Sequence, residues 1–121
     1  MPLVNISILK GKSSEYIKSV TDGVNSAVIE SFNFPSDDRY QIVHEHEIHC
    51  LEMQARVQDR VMMHVIIRKG HSDKAKQLFY KKVTENLSND PGIDPANVLI
   101  AMTENHDSDW SFRDGLAQFL I

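Results

Sequence analysis

Cysteine is almost missing from this chain: Cys50 stands alone among 121 residues. A lone thiol forms no internal disulfide, so the reducing cytoplasm is the expected compartment. Long apolar runs are missing too. The nearest approach, Val61 to Ile67, is broken by His64 and falls far short of the roughly 20 residues that cross a bilayer. No charged, apolar, small-residue leader opens the sequence, so no secretory signal and no membrane partner are expected. Basic charge is also scarce. Thirteen Lys and Arg against 17 Asp and Glu leave a net charge of −4. That excludes a general electrostatic grip on nucleic acid. An anionic ligand has to be held by a few placed cations.

What remains is an ordinary globular composition, 41% hydrophobic and 25% charged. A chain of this length hides roughly two-thirds of its unfolded surface and needs no disulfide or structural metal to fold. The expectation is one domain over residues 1–121, with repeat units at about 2–46 and 61–104 and an aromatic tail at 105–121.

The repeat appears when Val4-Asn5-Ile6-Ser7-Ile8-Leu9-Lys10-Gly11-Lys12-Ser13 is written over Met63-His64-Val65-Ile66-Ile67-Arg68-Lys69-Gly70-His71-Ser72. Ile6 meets Val65, Ile8 meets Ile67, Gly11 meets Gly70 and Ser13 meets Ser72. With one residue of slippage, Pro35 falls on Pro95. Each copy reads strand, turn, helix, loop, strand. Val4, Ile6 and Ile8 alternate with polar neighbours, the period of a half-buried strand. Ser13 is placed as a helix cap. Ile17, Val20, Val24, Ala27, Val28 and Phe32 recur at helical spacing. In the second copy Val61, Met63, Val65 and Ile67 point one way, Ser72 caps, and Ala75, Leu78, Phe79, Val83 and Leu87 line one helix face. A helical crossover makes the strands of each unit parallel. The fold class is therefore α/β (α+β): two β-α-β repeats forming a four-stranded sheet with two helices on one face. Leu3, Leu9 and Ile66 fall on the other face, and oligomerisation is the economical way to cover it. Residues 47–60 connect the copies and are polar without clear periodicity.

Chemistry is concentrated in a few places. Removal of Met1 would leave Pro2 as a secondary amine, and burial lowers the pKa of an amine toward neutrality, where a general base works best. Pro2 shares strand parity with Val4. Asp37-Asp38-Arg39-Tyr40 precedes a strand, where a carboxylate can orient water or a hydroxyl, or simply form a solvated Asp–Arg turn. Arg68-Lys69-Gly70-His71 gathers cations at a helix N-terminus, either a carboxylate site or a solvated turn. His44, His46 and His49 resemble a metal cluster, but their spacing matches no standard zinc pattern. His64, inside an apolar strand, reads as a structural histidine.

These pieces resemble the tautomerase superfamily, in the branch that includes malonate semialdehyde decarboxylase. The matching stretches are Met1-Pro2-Leu3, Gly11-Lys12-Ser13, Pro35-Ser36-Asp37-Asp38-Arg39-Tyr40-Gln41, Phe79-Tyr80-Lys81, Gly92-Ile93-Asp94-Pro95, Asp109-Trp110-Ser111-Phe112 and Gly115-Leu116-Ala117-Gln118-Phe119. The resemblance implies a tautomerase-like β-α-β fold assembled as a homotrimer. It implies catalysis by Pro2 and Asp38 and closure of the pocket by Trp110 and Phe112. Gapless counting puts Lys69 and His71 where the decarboxylase branch has two arginines, with Arg68 one place off. Lysine binds a carboxylate without arginine's bidentate fork, and histidine is largely neutral near pH 7.

The expected function is a small oxo-acid tautomerase that uses Pro2 as general base or acid, with Lys69, His71 and Arg68 holding a carboxylate. It needs no cofactor and no metal. Its partner would be a small-molecule oxo acid, a pyruvate or semialdehyde derivative. Decarboxylation of a malonate semialdehyde-like substrate is a second activity. The alternatives are a non-catalytic ligand-binding member of the same fold and a metal-dependent enzyme built on His44, His46 and His49.

Overall fold

The structure is a computed structural model and describes residues 2–121; the expected removal of Met1 concerns a residue outside them. Its elements run β1 (Leu3–Leu9), α1 (Ser14–Phe32), β2 (Tyr40–His46), β3 (Val61–Arg68), α2 (Asp73–Asn89) and β4 (Val98–Asn105). Four short 3-10 turns lie at Ile48–Cys50, Pro95–Asn97, Asp107–Asp109 and Gln118–Leu120. The sheet order is β2-β1-β3-β4. Within each unit the strands are parallel, and the units meet through antiparallel pairing of β1 with β3. The fold class read from the sequence is the observed one.

Local chemistry explains the repeated elements. The Ser13 hydroxyl accepts from the Tyr16 N–H at 3.1 Å, and the Ser72 hydroxyl accepts from the Ala75 N–H at 3.1 Å. Each satisfies a backbone donor that the first helical turn leaves open. Gly11 and Gly70 end β1 and β3 at φ of +98° and +120°, a region that L side chains avoid. Asn33, left-handed at φ 59°, closes α1.

Both helices cover one sheet face. Val4, Ile6 and Ile8 of β1 and Val61, Met63, Val65 and Ile67 of β3 are buried against Val20, Val24, Ala27, Val28 and Phe32 of α1 and Phe79, Val83 and Leu87 of α2. Burying each of the larger side chains is worth roughly 1.5–3 kcal/mol. The helices touch at Gly23, where a Cβ would come within 3.2 Å of the Leu87 side chain. Leu78 departs from expectation: it is 39% exposed. One residue turns a helix by about 100°, which carries Leu78 off the stripe formed by Phe79, Val83 and Leu87.

In β2, Gln41 and Val43 face the helices while Tyr40, Ile42 and His44 are exposed on the other face. That open face also carries Leu3, Leu9, Met62 and Ile66, half-buried, and the exposed Leu99. Residues 47–60 are pinned despite their polarity. Leu51 and Met53 are buried, and the buried Arg60 guanidinium donates to the carbonyls of Arg56 and Ile48. Among the described residues no helix is long and apolar enough to cross a membrane.

Candidate active site

Pro2 is buried at the entrance to β1, on the helix side of the sheet. It shares a crevice with Val4, Asn25, Val28, Asp38, Arg39, Tyr40 and Gln41, closed too tightly to admit water. Asp38 arrives there on the loop after α1, where its N–H donates to the Pro35 carbonyl at 3.2 Å. That loop and the start of β2 are together fastened to α1 three times. The Asn25 amide donates to the Ser36 carbonyl at 3.2 Å, Gln41 donates to the Thr21 carbonyl at 3.1 Å, and Arg39 donates to Asp22 at 2.8 Å. Arg39 thus pairs with α1. Lys18 and Arg39 together hold the Asp22 carboxyl below the usual carboxylate range.

A cavity of about 280 Å³ opens at the same end of the sheet, lined by Phe34, Ile67, Arg68, Lys69, Gly70, His71 and Phe119. Leu3 pairs with Ile66 across the β1–β3 ladder, so one further step brings Pro2 level with Ile67. Crevice and cavity therefore adjoin. The three basic residues of the cavity have different surroundings. Lys69 is exposed, and among the described residues its ammonium has no carboxylate within ion-pair distance. Arg68 is engaged: its guanidinium lies 4.0 Å from the centre of the Phe119 ring and its Nε is 3.5 Å from Asp107. His71 sits against Phe32 and Phe34, with ring centres 4.8 and 5.7 Å away. Burial lowers its pKa, Lys76 and Arg68 push the same way, and Glu104 opposes them. The imidazole is accordingly neutral at neutral pH.

Trp110 and Phe112 line a different hollow, of about 340 Å³, on the open sheet face with Leu3, Tyr40, Ile66, Asn105, Asp109 and Ser111. Their rings stack at 5.2 Å, and Phe112 packs on Tyr40 at 5.6 Å. The indole N–H donates to Asn105 at 2.6 Å. Phe119 meets Phe112 edge-on at 5.5 Å and joins this hollow to the Lys69 cavity. The structure therefore gathers Pro2 with Asp38, and Lys69 with His71 and Arg68. It sets Trp110 and Phe112 across the sheet edge. Sequence reasoning missed Phe34, Phe119 and Asn25. Phe119 belongs to the tail stretch that matched the family, the one signal that pointed to it.

The histidines of the open face take neutral partners. His44 Nε2 lies 3.0 Å from Asn5, His46 Nε2 3.0 Å from Ser7, and His64 Nε2 2.8 Å from Thr103. Among the described residues no group of three or more His, Cys, Asp or Glu side chains is arranged to hold a metal ion.

Two β-α-β units on one sheet, with a buried proline at the first strand and a carboxylate beside it, define a small α/β protein with acid–base groups at one sheet end. Two family models, each described as a tautomerase enzyme, match residues 38–113 and 2–49. The chain belongs to the tautomerase family. A probable tautomerase of Bacillus subtilis (strain 168), YrdN, is 35% identical over 99% of this chain and 97% of its own. Crystal structures of malonate semialdehyde decarboxylase in wild-type, mutant and inactivated forms include a chain 37% identical, with a TM-score of 0.90 over 98% of this chain and 95% of that one. The FG41 malonate semialdehyde decarboxylase, solved inhibited by 3-bromopropiolate, is 31% identical with a TM-score of 0.88 over 98% and 94%.

Proposed function

We propose that this protein is a small oxo-acid tautomerase, an isomerase in which Pro2, freed by removal of Met1, is the general base and then the acid. The observation that carries the reading is the burial of Pro2 in one crevice with Asp38, next to a cavity bearing an uncommitted lysine. Desolvation disfavours the protonated amine and brings it toward a pKa useful at neutral pH. The Lys69 ammonium holds the substrate carboxylate, and Arg68 and the His71 imidazole border it. Pro2 takes a proton from the carbon next to the carbonyl. The carbon–carbon double bond forms as the carbonyl electron pair moves to oxygen, and Asp38 beside Pro2 steadies the protonated amine. Pro2 then gives its proton to that oxygen, which completes the enol; ketonisation runs the same two transfers in reverse. Trp110 and Phe112 screen the site's open-face edge from solvent.

Decarboxylation of a malonate semialdehyde-like substrate is the second reading, favoured by the likeness to malonate semialdehyde decarboxylase. Lys69 and a neutral His71 in place of an arginine pair make it the lesser activity. One domain, assembled as a homotrimer through the open sheet face, suits both readings. A lone exposed Cys50 suits the cytoplasm. The test is Pro2→Ala with Met1 removed, assayed for ketonisation of enol-phenylpyruvate and for loss of carbon dioxide from malonate semialdehyde. The expected result is a loss of most activity with the fold intact; full activity in this variant contradicts the proline mechanism. A protein with a free Pro2 that turns over neither compound supports the non-catalytic ligand-binding reading.

A further inference from the structure

Asn25 is an anomaly of α1. Its neighbours Val20, Val24, Ala27 and Val28 make an apolar face, yet this amide is buried with them at 7% exposure. A buried amide is costly unless its hydrogen bonds are made. Among the described residues the structure gives Asn25 a single one, from Nδ2 to the Ser36 carbonyl at 3.2 Å. Its carbonyl oxygen makes no hydrogen bond among the described residues and is not sealed off as a buried orphan, and the crevice that Asn25 lines is that of Pro2 and Asp38.

The other buried polar residues lie away from that crevice, and among the described residues the Arg60 Nε and the Ser31 hydroxyl are buried without a partner. Arg60 clasps the connection between the repeats, and Asn97 sits in the 3-10 turn before β4, where its backbone N–H donates to the Asp94 carbonyl. Asn25 alone of these faces the proposed chemistry.

We propose that Asn25 is a positioning residue for the acid–base pair. One N–H of its amide sets the loop that carries Asp38, by way of Ser36. Its carbonyl oxygen is the acceptor for an N–H of a freed Pro2. An acceptor there orients the proline nitrogen and stabilises its protonated form, so that burial does not carry the amine below the range in which it can return a proton. This inference rests on the proline reading above.

The charged and titratable groups around Pro2 are few. Asp38, Arg39 and Tyr40 come from the loop and β2, and Arg68, Lys69 and His71 from the end of β3. From α1 the uncharged Asn25 and Val28 enter the crevice. A charge introduced at Asn25 is therefore felt directly by Pro2.

The test needs no knowledge of the natural substrate. With Met1 removed, the amine nitrogen of Pro2 is titrated by NMR in the wild type, in Asn25→Ala and in the isosteric Asn25→Asp. A carboxylate beside an ammonium raises its pKa, so Asn25→Asp should move the midpoint up by about one unit or more. Asn25→Ala removes an acceptor and should move it down. In the enol-phenylpyruvate assay, Asn25→Ala should lose roughly tenfold or more in kcat with KM within about threefold, because the lost contact positions the base and not the substrate. In Asn25→Asp the acid limb of the pH–rate profile should follow the new midpoint upward.

An unmoved midpoint in the folded Asn25→Asp protein overturns the proposal, and so does an Asn25→Ala protein that is less stable but has wild-type kcat and pH profile. If Asn25→Ala fails to fold, the Asn25→Asp titration decides. Failure of the proline reading looks different: Pro2→Ala stays fully active, whatever the Asn25 variants do.

Discussion

Replacing Phe79 by alanine should be the most damaging single truncation in the helix layer, and the structure gives its size. The Phe79 ring is fully buried at the centre of the core. It lies 5.3 Å from Phe32 and 6.0 Å from Tyr80. Phe32 in turn supports the His71 ring, so the loss reaches the edge of the candidate site. A buried Phe→Ala change costs about 3–5 kcal/mol, from lost transfer energy and the cavity left behind. The unfolding entropy of 121 residues at about 2.1 cal/mol/K each is ~0.25 kcal/mol/K, so 4 kcal/mol lowers Tm by about 16 °C. Phe79→Leu, which keeps most of the volume, should cost under about 1.5 kcal/mol. Leu78→Ala, one residue away but turned to solvent, should cost about 0.5 kcal/mol or a little more. The assay is urea and thermal unfolding at one chain concentration, since assembly adds concentration-dependent stability. A loss below about 1 kcal/mol for Phe79→Ala, or an equal loss for Leu78→Ala, would refute the helix orientation described above.

Three other outcomes are expected. Burial holds the pKa of His71 below its ordinary value, so the unfolded chain binds the extra proton first; stability should fall as pH drops below about 6.5, and His71→Gln should flatten that slope in urea titrations. An unchanged slope contradicts the aromatic cage around His71. Tyr16 is pushed up to about 12, first by burial and then by the charge and hydrogen bond of Asp59. Its stabilising share is present below about pH 10 and disappears as pH rises toward the folded value, and Asp59→Asn should bring its absorbance transition down without restoring the ordinary phenol value. Lys69→Ala should raise KM for an oxo acid by roughly 10–100-fold, the worth of a charge-assisted hydrogen bond, with Tm unchanged; Arg68→Ala should instead loosen the tail, read as a change in Trp110 fluorescence.

Much of the fold was legible because β1 and β3 each bury one face completely. Val4, Ile6 and Ile8, and Val61, Met63, Val65 and Ile67, alternate without error. The caps were equally plain, since Ser13 and Ser72 satisfy donors that only a helix start leaves open. The edge strands were harder. β2 has one neighbour, its core face holds Gln41 beside Val43, and its open face holds Ile42 at 47% exposure, so alternation does not sort it. The strand order could not be read at all, because pairing of β1 with β3 joins segments distant in the chain.

The candidate site divides in the same way. Pro2 was placed by strand parity, and its burial follows from that parity. The surroundings of His71 come from Phe32 and Phe34, far back along the chain, and no local pattern announces them. The side of the sheet taken by Trp110 and Phe112 depends on the path of the tail, which is set by contacts such as Trp110 with Asn105.

The central claim is that Pro2 carries the chemistry as a free amine. The most direct test is the intact mass of the protein made without any N-terminal tag. The account predicts a chain lighter by one methionine residue, with Pro2 exposed as a secondary amine. A mass that retains Met1 makes the Pro2 nitrogen an amide, which cannot take a proton from carbon, and contradicts the account.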